Sequence, residues 1–338
     1  MKILLVRLGA LGDIIQSAVV LQYIKRHCPD SVIHWLVEKR YSEILENNPF
    51  IDDIYTVEIK RFKEDRNFHK LNLERQEVKE IGYKEKYDLV IDMQGLIKSA
   101  LVSKMIAKKV HGFSYSSVKE GFASFLYSST SKISYGENTI FRNLQLIEDS
   151  LDIREITGSE LFHKEQYLFS KSIVEVDFQV LLVIGSTWES RNYPKEKFLE
   201  IIKAFPDKKF GVLWGTDDEK ERAEWIVERA DNSILAPKVS LDGLKSIVEQ
   251  MELVIGNDTG PTHLSWAVNT PSITIFGPTP TSRVFQTPMN LIVKSKSKVN
   301  PKKLNKMDFS IETIDSREII EKANHIFEIK EREAPCLP

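Results

Sequence analysis

The chain has 338 residues, 42% hydrophobic and 28% charged, the balance of a globular protein with room for two cores at roughly 150 residues per domain. Lys and Arg number 47 against 49 Asp and Glu, a net charge of −2, which excludes a protein that coats nucleic acid by bulk positive charge. Apolar residues recur along the whole length, which excludes disorder as the main state.

The pattern opens with a buried strand over 3–8. A helix follows from Asp13, with Ile14, Ala18 and Leu21 at helical spacing, and Cys28-Pro29-Asp30 ends it. A strand over 32–37 precedes a helix over 41–46. Further strands are predicted over 53–57, 89–92 and 110–113, with helices near 69–85, 95–108, 119–127 and 138–151. After a polar stretch over 152–178, read as a linker, the pattern restarts. Strands over 180–184, 210–214, 253–256 and 272–276 alternate with helices over 198–205, 217–230, 241–251 and 262–268. A last helix covers 313–330. Alternating strands and helices predict α/β architecture, with parallel sheets covered on both faces. The expectation is two doubly wound units with a cleft between them: residues 1–165, residues 175–312, and a closing helix over 313–330 that can pack back on the N-terminal unit.

No run approaches the roughly 18 apolar residues of a membrane span. The N-terminus resembles a signal peptide briefly, but Arg7 and Asp13 interrupt it and no cleavage pattern follows. The two cysteines, Cys28 and Cys336, have no metal-type spacing and suggest a reducing compartment. A cytoplasmic protein is expected.

Four segments carry candidate chemistry, each at the carboxyl end of a predicted strand, where doubly wound sheets bind ligands. In Gly9-Ala-Leu-Gly12-Asp13 the glycines permit a tight turn, and Asp13 is either a working carboxylate or a helix cap. The spacing Gly-x-Gly-x-x-Gly is absent, which disfavours a nicotinamide enzyme. In 185–194, Ser186, Thr187 and Arg191 are fitted to phosphate oxygens, or form an ordinary polar loop with a surface Arg. In 254–263, backbone amides from Asp258 to Thr262 suit an anion at a helix N-terminus, with Asp258 as a cap and His263 as a core residue in the plainer account. In 214–219 a carboxylate either holds ribose hydroxyls or favours the helix dipole. Two basic clusters remain: Lys60, Arg61, Lys63 and Arg66, and the acid-free run of lysines from Lys294 to Lys306. Each is a solvated face or a meeting place for anionic headgroups. There is no Asp-x-Asp for a carboxylate-held metal bridging a diphosphate, and no P-loop.

LGALGDIIQS, YDLVIDMQGLIKSALV, KEGFASFLY, NDTGPTHL and FGPTPT, in this order and covering nearly the whole chain, resemble the bacterial lipopolysaccharide heptosyltransferases of glycosyltransferase family 9. KEGFASFLY, over 119–127, resembles the first-acting members more than the later ones. The resemblance implies a GT-B fold, with two Rossmann-like domains facing across a cleft. It implies inverting, metal-independent transfer of L-glycero-D-manno-heptose from ADP-heptose to the Kdo residue of Kdo-lipid A, with ADP as product and no cofactor. It assigns Asp13 as general base and Arg191, where relatives often have lysine, to the donor phosphates. Ser186, Thr187, Glu219, Val239, Asp258, Thr259, Gly260 and His263 then contact the donor. Lys60, Arg61, Lys63 and Lys119 match the acceptor contacts loosely. A monomer is implied, bound peripherally to the anionic cytoplasmic face of the inner membrane and not to nucleic acid. The alternatives are a later heptosyltransferase acting on heptose, a nucleotide-sugar 2-epimerase of the same architecture, and a nucleotide-sugar-binding protein.

Overall fold

The computed structural model describes residues 1–58 and 68–333. The chain divides into two units, Met1–Phe169 and Ser170–Pro338, each built on its own six-stranded sheet.

In the first unit the strands are β1 Lys2–Val6, β2 Val32–Glu38, β3 Asp53–Val57, β4 Leu89–Asp92, β5 Val110–Phe113 and β6 Ser129–Ser131, in the order β3-β2-β1-β4-β5-β6. In the second they are β7 Val180–Val183, β8 Phe210–Leu213, β9 Ser233–Leu235, β10 Leu253–Asn257, β11 Ser272–Phe276 and β12 Asn290–Lys294, in the order β12-β11-β10-β7-β8-β9. Every pairing is parallel, as in Leu4↔Val90 between β1 and β4 and Leu182↔Ile255 between β7 and β10. Counted within its own unit, each sheet reads 3-2-1-4-5-6. The strand order reverses between β1 and β4, and again between β7 and β10. Chain crossovers leave to opposite faces there, so the loops part at the carboxyl edge and leave a crevice.

The central strands are short apolar runs because helices cover both faces. Ile3, Leu4, Leu5 and Val6 are fully buried, as are Val180, Leu181 and Leu182. The helix predicted from Asp13 to residue 28 is two pieces, α1 Leu11–Ser17 and α2 Val20–His27. The Leu21 N–H reaches Ala18 O in a tighter turn where they join. This region is apolar on nearly all sides because it lies between the sheet and a helix over Thr139–Leu151.

Several expectations are corrected. Residues Lys39–Ile44 and Gly121–Leu126 form 3-10 turns in place of α-helices. Strands β6, β9 and β12 lie outside the strands read from the sequence, because they are short and their apolar runs are three residues at most. The stretch 152–178 contains the division between the units, as expected of the linker region, and it is packed against both neighbours in sequence. Leu161, Tyr167 and Leu168 are buried, and Asn48 Nδ2 donates to Tyr167 O at 2.7 Å. Just past the division, Ser172 gives its N–H and its hydroxyl to Asp242 Oδ2 at 2.9 and 2.6 Å. The closing helix, Ser316–Glu333, buries Ile319, Ala323 and Ile326 in the second unit's core and packs on the helix Lys195–Ala204. Its apolar face is therefore used within the second unit.

At the amino edge of the first sheet, Glu85 accepts from Lys2 Nζ and Tyr55 OH, both at 2.8 Å. The Lys2 and Tyr55 hydrogen bonds pull its carboxyl from the ordinary 4.5 to about 2. A folded value below the unfolded one stabilises above pH 4.5, and that contribution is lost as pH falls toward about 2. Urea unfolding of the parent and Glu85→Gln, near neutral pH and near about pH 3, is expected to show the parent's advantage shrinking with acid. A constant difference would refute the assignment.

Candidate functional site

The second unit gathers most of the candidate residues at its switch point. Asn257, the last residue of β10, is fully buried. Its Nδ2 donates to Ile184 O at 2.7 Å, and its Oδ1 accepts from Tyr193 N at 3.0 Å. Its own carbonyl accepts from Thr262 Oγ1 at 2.8 Å. One side chain thus joins the end of β7, the end of β10 and the loop that carries Arg191. Asn257 has no role in the sequence reading of 254–263. Its signal was an amide at a strand end with no exposed turn around it.

Asp258 follows, 1% exposed. Its Oδ1 lies 2.8 Å from His263 Nε2, and its Oδ2 lies 3.6 Å from an Arg191 terminal nitrogen. Burial alone pushes this carboxyl up. The His263 hydrogen bond and the charges of Arg283, His263 and Arg191 outweigh burial and hold it well below the usual carboxylate range. Asp258 therefore acts as a fixed anion that aims two cationic or polar groups. The Arg191 guanidinium also stands over the Trp188 ring at 5.3 Å, and Lys306 approaches the same ring at 4.8 Å. Arg283 carries no signal in the sequence because it lies in the turn Thr281–Arg283, distant along the chain, and Trp188 stands within the segment 185–194 but is given no role there.

Thr259 is the N-cap of the helix Gly260–Ala267, yet its side chain makes no capping bond. That arrangement suits an anion at the helix N-terminus. Among the described residues, Ser186 Oγ, Asp258 Oδ2 and Thr279 Oγ1 are buried without a hydrogen-bond partner. They follow the ends of three adjacent strands, β7, β10 and β11. Buried polar atoms are normally paired, so this concentration marks a place for a polar ligand. Thr187, beside Ser186, is exposed.

Glu219 lies in the first turn of the helix Asp217–Val227. Its Oε2 accepts from the N–H groups of Gly215 at 2.7 Å and Thr216 at 3.2 Å, a capping arrangement beyond the helix-dipole role read from the sequence. The same side chain lies against Gly185, where a Cβ would come 1.9 Å from Oε1, so a larger residue there would displace the Glu219 carboxylate. Val239 is half-buried and packs over Gly243. Lys294, counted with the basic run, sits in β12 and gives its ammonium to Gly277 O, so it is not part of an open patch.

In the first unit Asp13 is the third residue of α1 and not its cap. Its Oδ2 is 3.0 Å from an Arg7 terminal nitrogen. Arg7 also donates to Met93 O, and Leu8 N donates to Gln94 Oε1 at 2.8 Å. The loops after β1 and β4 are thereby laced together. Beneath them Asp92, fully buried at the end of β4, accepts from Ser99 Oγ and Tyr127 OH, each at 2.8 Å, and from the N–H groups of Gln94 and Gly95. Lys119 is exposed at the surface of this unit. Lys60, Arg61, Lys63 and Arg66 lie outside the described residues.

The model of glycosyltransferase family 9 (heptosyltransferase) matches residues 78–311. The chain is 40% identical to lipopolysaccharide heptosyltransferase 1 of Campylobacter coli, covering 97% of this chain and 99% of that one. It is 29% identical to lipopolysaccharide heptosyltransferase 1 of Pseudomonas aeruginosa, covering 82% of this chain and 79% of that one. Among solved structures, the E. coli heptosyltransferase WaaC with ADP-2-deoxy-2-fluoro heptose superimposes with a TM-score of 0.77 at 22% identity, covering 96% of this chain and 100% of that one. The fold is accordingly GT-B.

Truncating Asn257 to alanine leaves the Ile184 carbonyl and the Tyr193 N–H buried without a partner, at an expected cost of about 1–3 kcal/mol. Urea denaturation followed by a probe in the second unit is expected to show a lower midpoint for Asn257→Ala, and an unchanged midpoint would refute the tie.

The motif segments sit at the carboxyl edges of two doubly wound sheets, and family model and relatives cover them: the chain belongs to glycosyltransferase family 9, the heptosyltransferases.

Proposed function

We propose that the chain transfers L-glycero-D-manno-heptose from ADP-heptose to the Kdo residue of Kdo-lipid A, with inversion at the anomeric carbon. The observation that carries this reading is the near-full-length likeness to a relative named lipopolysaccharide heptosyltransferase 1. The geometry at the second switch point supports it: a buried anion, Asp258, holds Arg191 and His263 beside an uncapped helix N-terminus.

In this reading the second unit binds the donor. The helix N-terminus at Thr259–Gly260 and the Ser186 and Thr187 hydroxyls meet the diphosphate, and Arg191 offsets the charge that grows on it as the anomeric C–O bond breaks. Glu219 faces the ribose, Val239 the adenine, and Asp258 and His263 border the heptose. The first unit supplies Asp13. As the acceptor hydroxyl oxygen attacks the anomeric carbon, its proton passes to the Asp13 carboxylate and ADP leaves. The Arg7 guanidinium, 3.0 Å away, holds the Asp13 carboxylate in place. Lys60, Arg61, Lys63 and Lys119 are proposed to meet the anionic acceptor.

Among the described residues no helix is long and apolar enough to cross a membrane. The acceptor is a lipid, so we place the protein as a peripheral monomer on the cytoplasmic face of the inner membrane, attracted through its basic residues.

Asp13→Asn is expected to lower kcat by about 10²–10⁴-fold with an unchanged melting temperature, the range for loss of a general base. Near-normal turnover in the folded variant would remove Asp13 from this role. Arg191→Ala is expected to lose about 10²–10³-fold in kcat. Arg191→Lys, which keeps charge without the fork, should fall between the two. Mass spectrometry after incubation with ADP-heptose tests the reaction itself. Gain of one heptose on Kdo-lipid A alone is expected; gain on a heptosylated core alone would reassign the chain to a later step.

A further inference from the structure

The first unit carries an aromatic cluster that none of the assigned roles uses. Tyr115, Phe122 and Phe125 are 54%, 66% and 74% exposed. Their ring centroids lie 5.6–6.0 Å apart, so they form one apolar surface. Ile97 and Leu101, 42% and 49% exposed, add to it from the adjoining helix Ile97–Ile106, which packs on the 3-10 turn Gly121–Leu126. Exposed large apolar groups gathered in one place mark an interaction surface.

The platform beneath is fixed. Val118 and Ala123 are buried, and a Cβ on Gly121 would come 2.5 Å from Tyr115 O, so only glycine lets the turn seat directly on the Tyr115 backbone. The Ile97 N–H is held by Glu120 Oε2 at 2.9 Å. Tyr115 follows the carboxyl end of β5, the same edge of the sheet from which Asp13 and Asp92 emerge.

The surrounding charge selects the partner. On the carboxyl-edge side, Lys98 opens the helix Ile97–Ile106, Lys119 precedes the turn Gly121–Leu126 and Lys132 follows β6, against the single acid Glu120 between residues 95 and 135, in a chain whose net charge is −2. A second copy of this chain docking through the same face would set lysines against lysines. An anionic bilayer presents the opposite charge to the lysines and a headgroup layer suited to Tyr and Phe rings.

We infer that the Tyr115–Phe122–Phe125 cluster is the wedge by which this protein enters an anionic lipid surface, with the neighbouring lysines on headgroup phosphates. The inference rests on the proposed lipid-borne acceptor for its purpose, and it relocates membrane contact from the basic runs near 60–66 and 294–306 to this face. Lysines alone give binding that salt abolishes; rings that enter the acyl boundary leave a part that salt does not remove.

The test uses the full chain and sedimentation with phosphatidylglycerol vesicles or pure phosphatidylcholine vesicles, at low and high salt. The double variant Phe122→Ser/Phe125→Ser is expected to lose at least about ten-fold in partition to phosphatidylglycerol vesicles, with an unchanged melting temperature. Its turnover on a deacylated, water-soluble acceptor is expected to match the parent. In a Phe125→Trp variant, brominated phosphatidylglycerol should quench emission beyond the parent's loss. Equal partition of parent and double variant would overturn the inference. So would a dimer in sedimentation velocity that the double variant loses, because a second copy would then cover the face. If the reaction reading fails instead, neither protein turns over the soluble acceptor, while the difference in vesicle partition remains.

Discussion

Each sheet ties its switch point with one fully buried polar side chain at the carboxyl end of its fourth strand. In the first unit this is Asp92 on β4, and in the second Asn257 on β10. A doubly wound sheet sends its crossovers to opposite faces at that point, so two loops that begin on neighbouring strands diverge. Their backbone groups lose ladder partners where water is scarce, and a buried unpaired group costs about 1–3 kcal/mol. Asn257, with a donor and an acceptor, serves one carbonyl and one N–H. Asp92, an acceptor, takes two N–H groups and two hydroxyls. The residue type follows from what each crevice leaves unpaired.

From these two ties the rest of each site is positioned. Asn257 fixes the loop holding Arg191 and the start of the helix at Gly260. Asp258 then draws Arg191 and His263 together from opposite sides of the crevice. Asp92 fixes Gln94, which holds Leu8, and the loop after β1 presents Asp13 beside Arg7. In both units an arginine and an aspartate meet at the sheet's carboxyl edge. In the second the aspartate is deeply buried and organises cations; in the first it is half-buried. The same pair of residue types thus sits in two environments, separated by burial.

A chain with a net charge near zero still concentrates positive charge locally. Lys98, Lys119 and Lys132, on the side of Tyr115, Phe122 and Phe125, form one such concentration, and Arg191, Arg283 and Lys306 around Asp258 and Trp188 form another. Composition averages these away, which is why overall charge speaks to solubility and bulk partners but not to a site.

The alternation of apolar runs with helical periodicity was enough, read along the chain, to determine two parallel α/β units and the strand ends at which Asp13, Arg191 and Asp258 lie. Local signals carry that information, because strands buried on both faces must be apolar and the turns after them must be rich in glycine and polar residues. Family motifs added the glycosyltransferase assignment. What tertiary structure decided is the pairing. That Asn257 bridges Ile184 and Tyr193, that Asp258 faces Arg191 across 67 positions of chain, and that stretch 152–178 is packed are contacts between residues far apart in order. The short strands β6, β9 and β12 belong to the same class, since their pairing to a neighbour's open hydrogen bonds is a contact between segments distant along the chain. The closing helix likewise shows an apolar stripe in sequence, and only the fold says which core receives it.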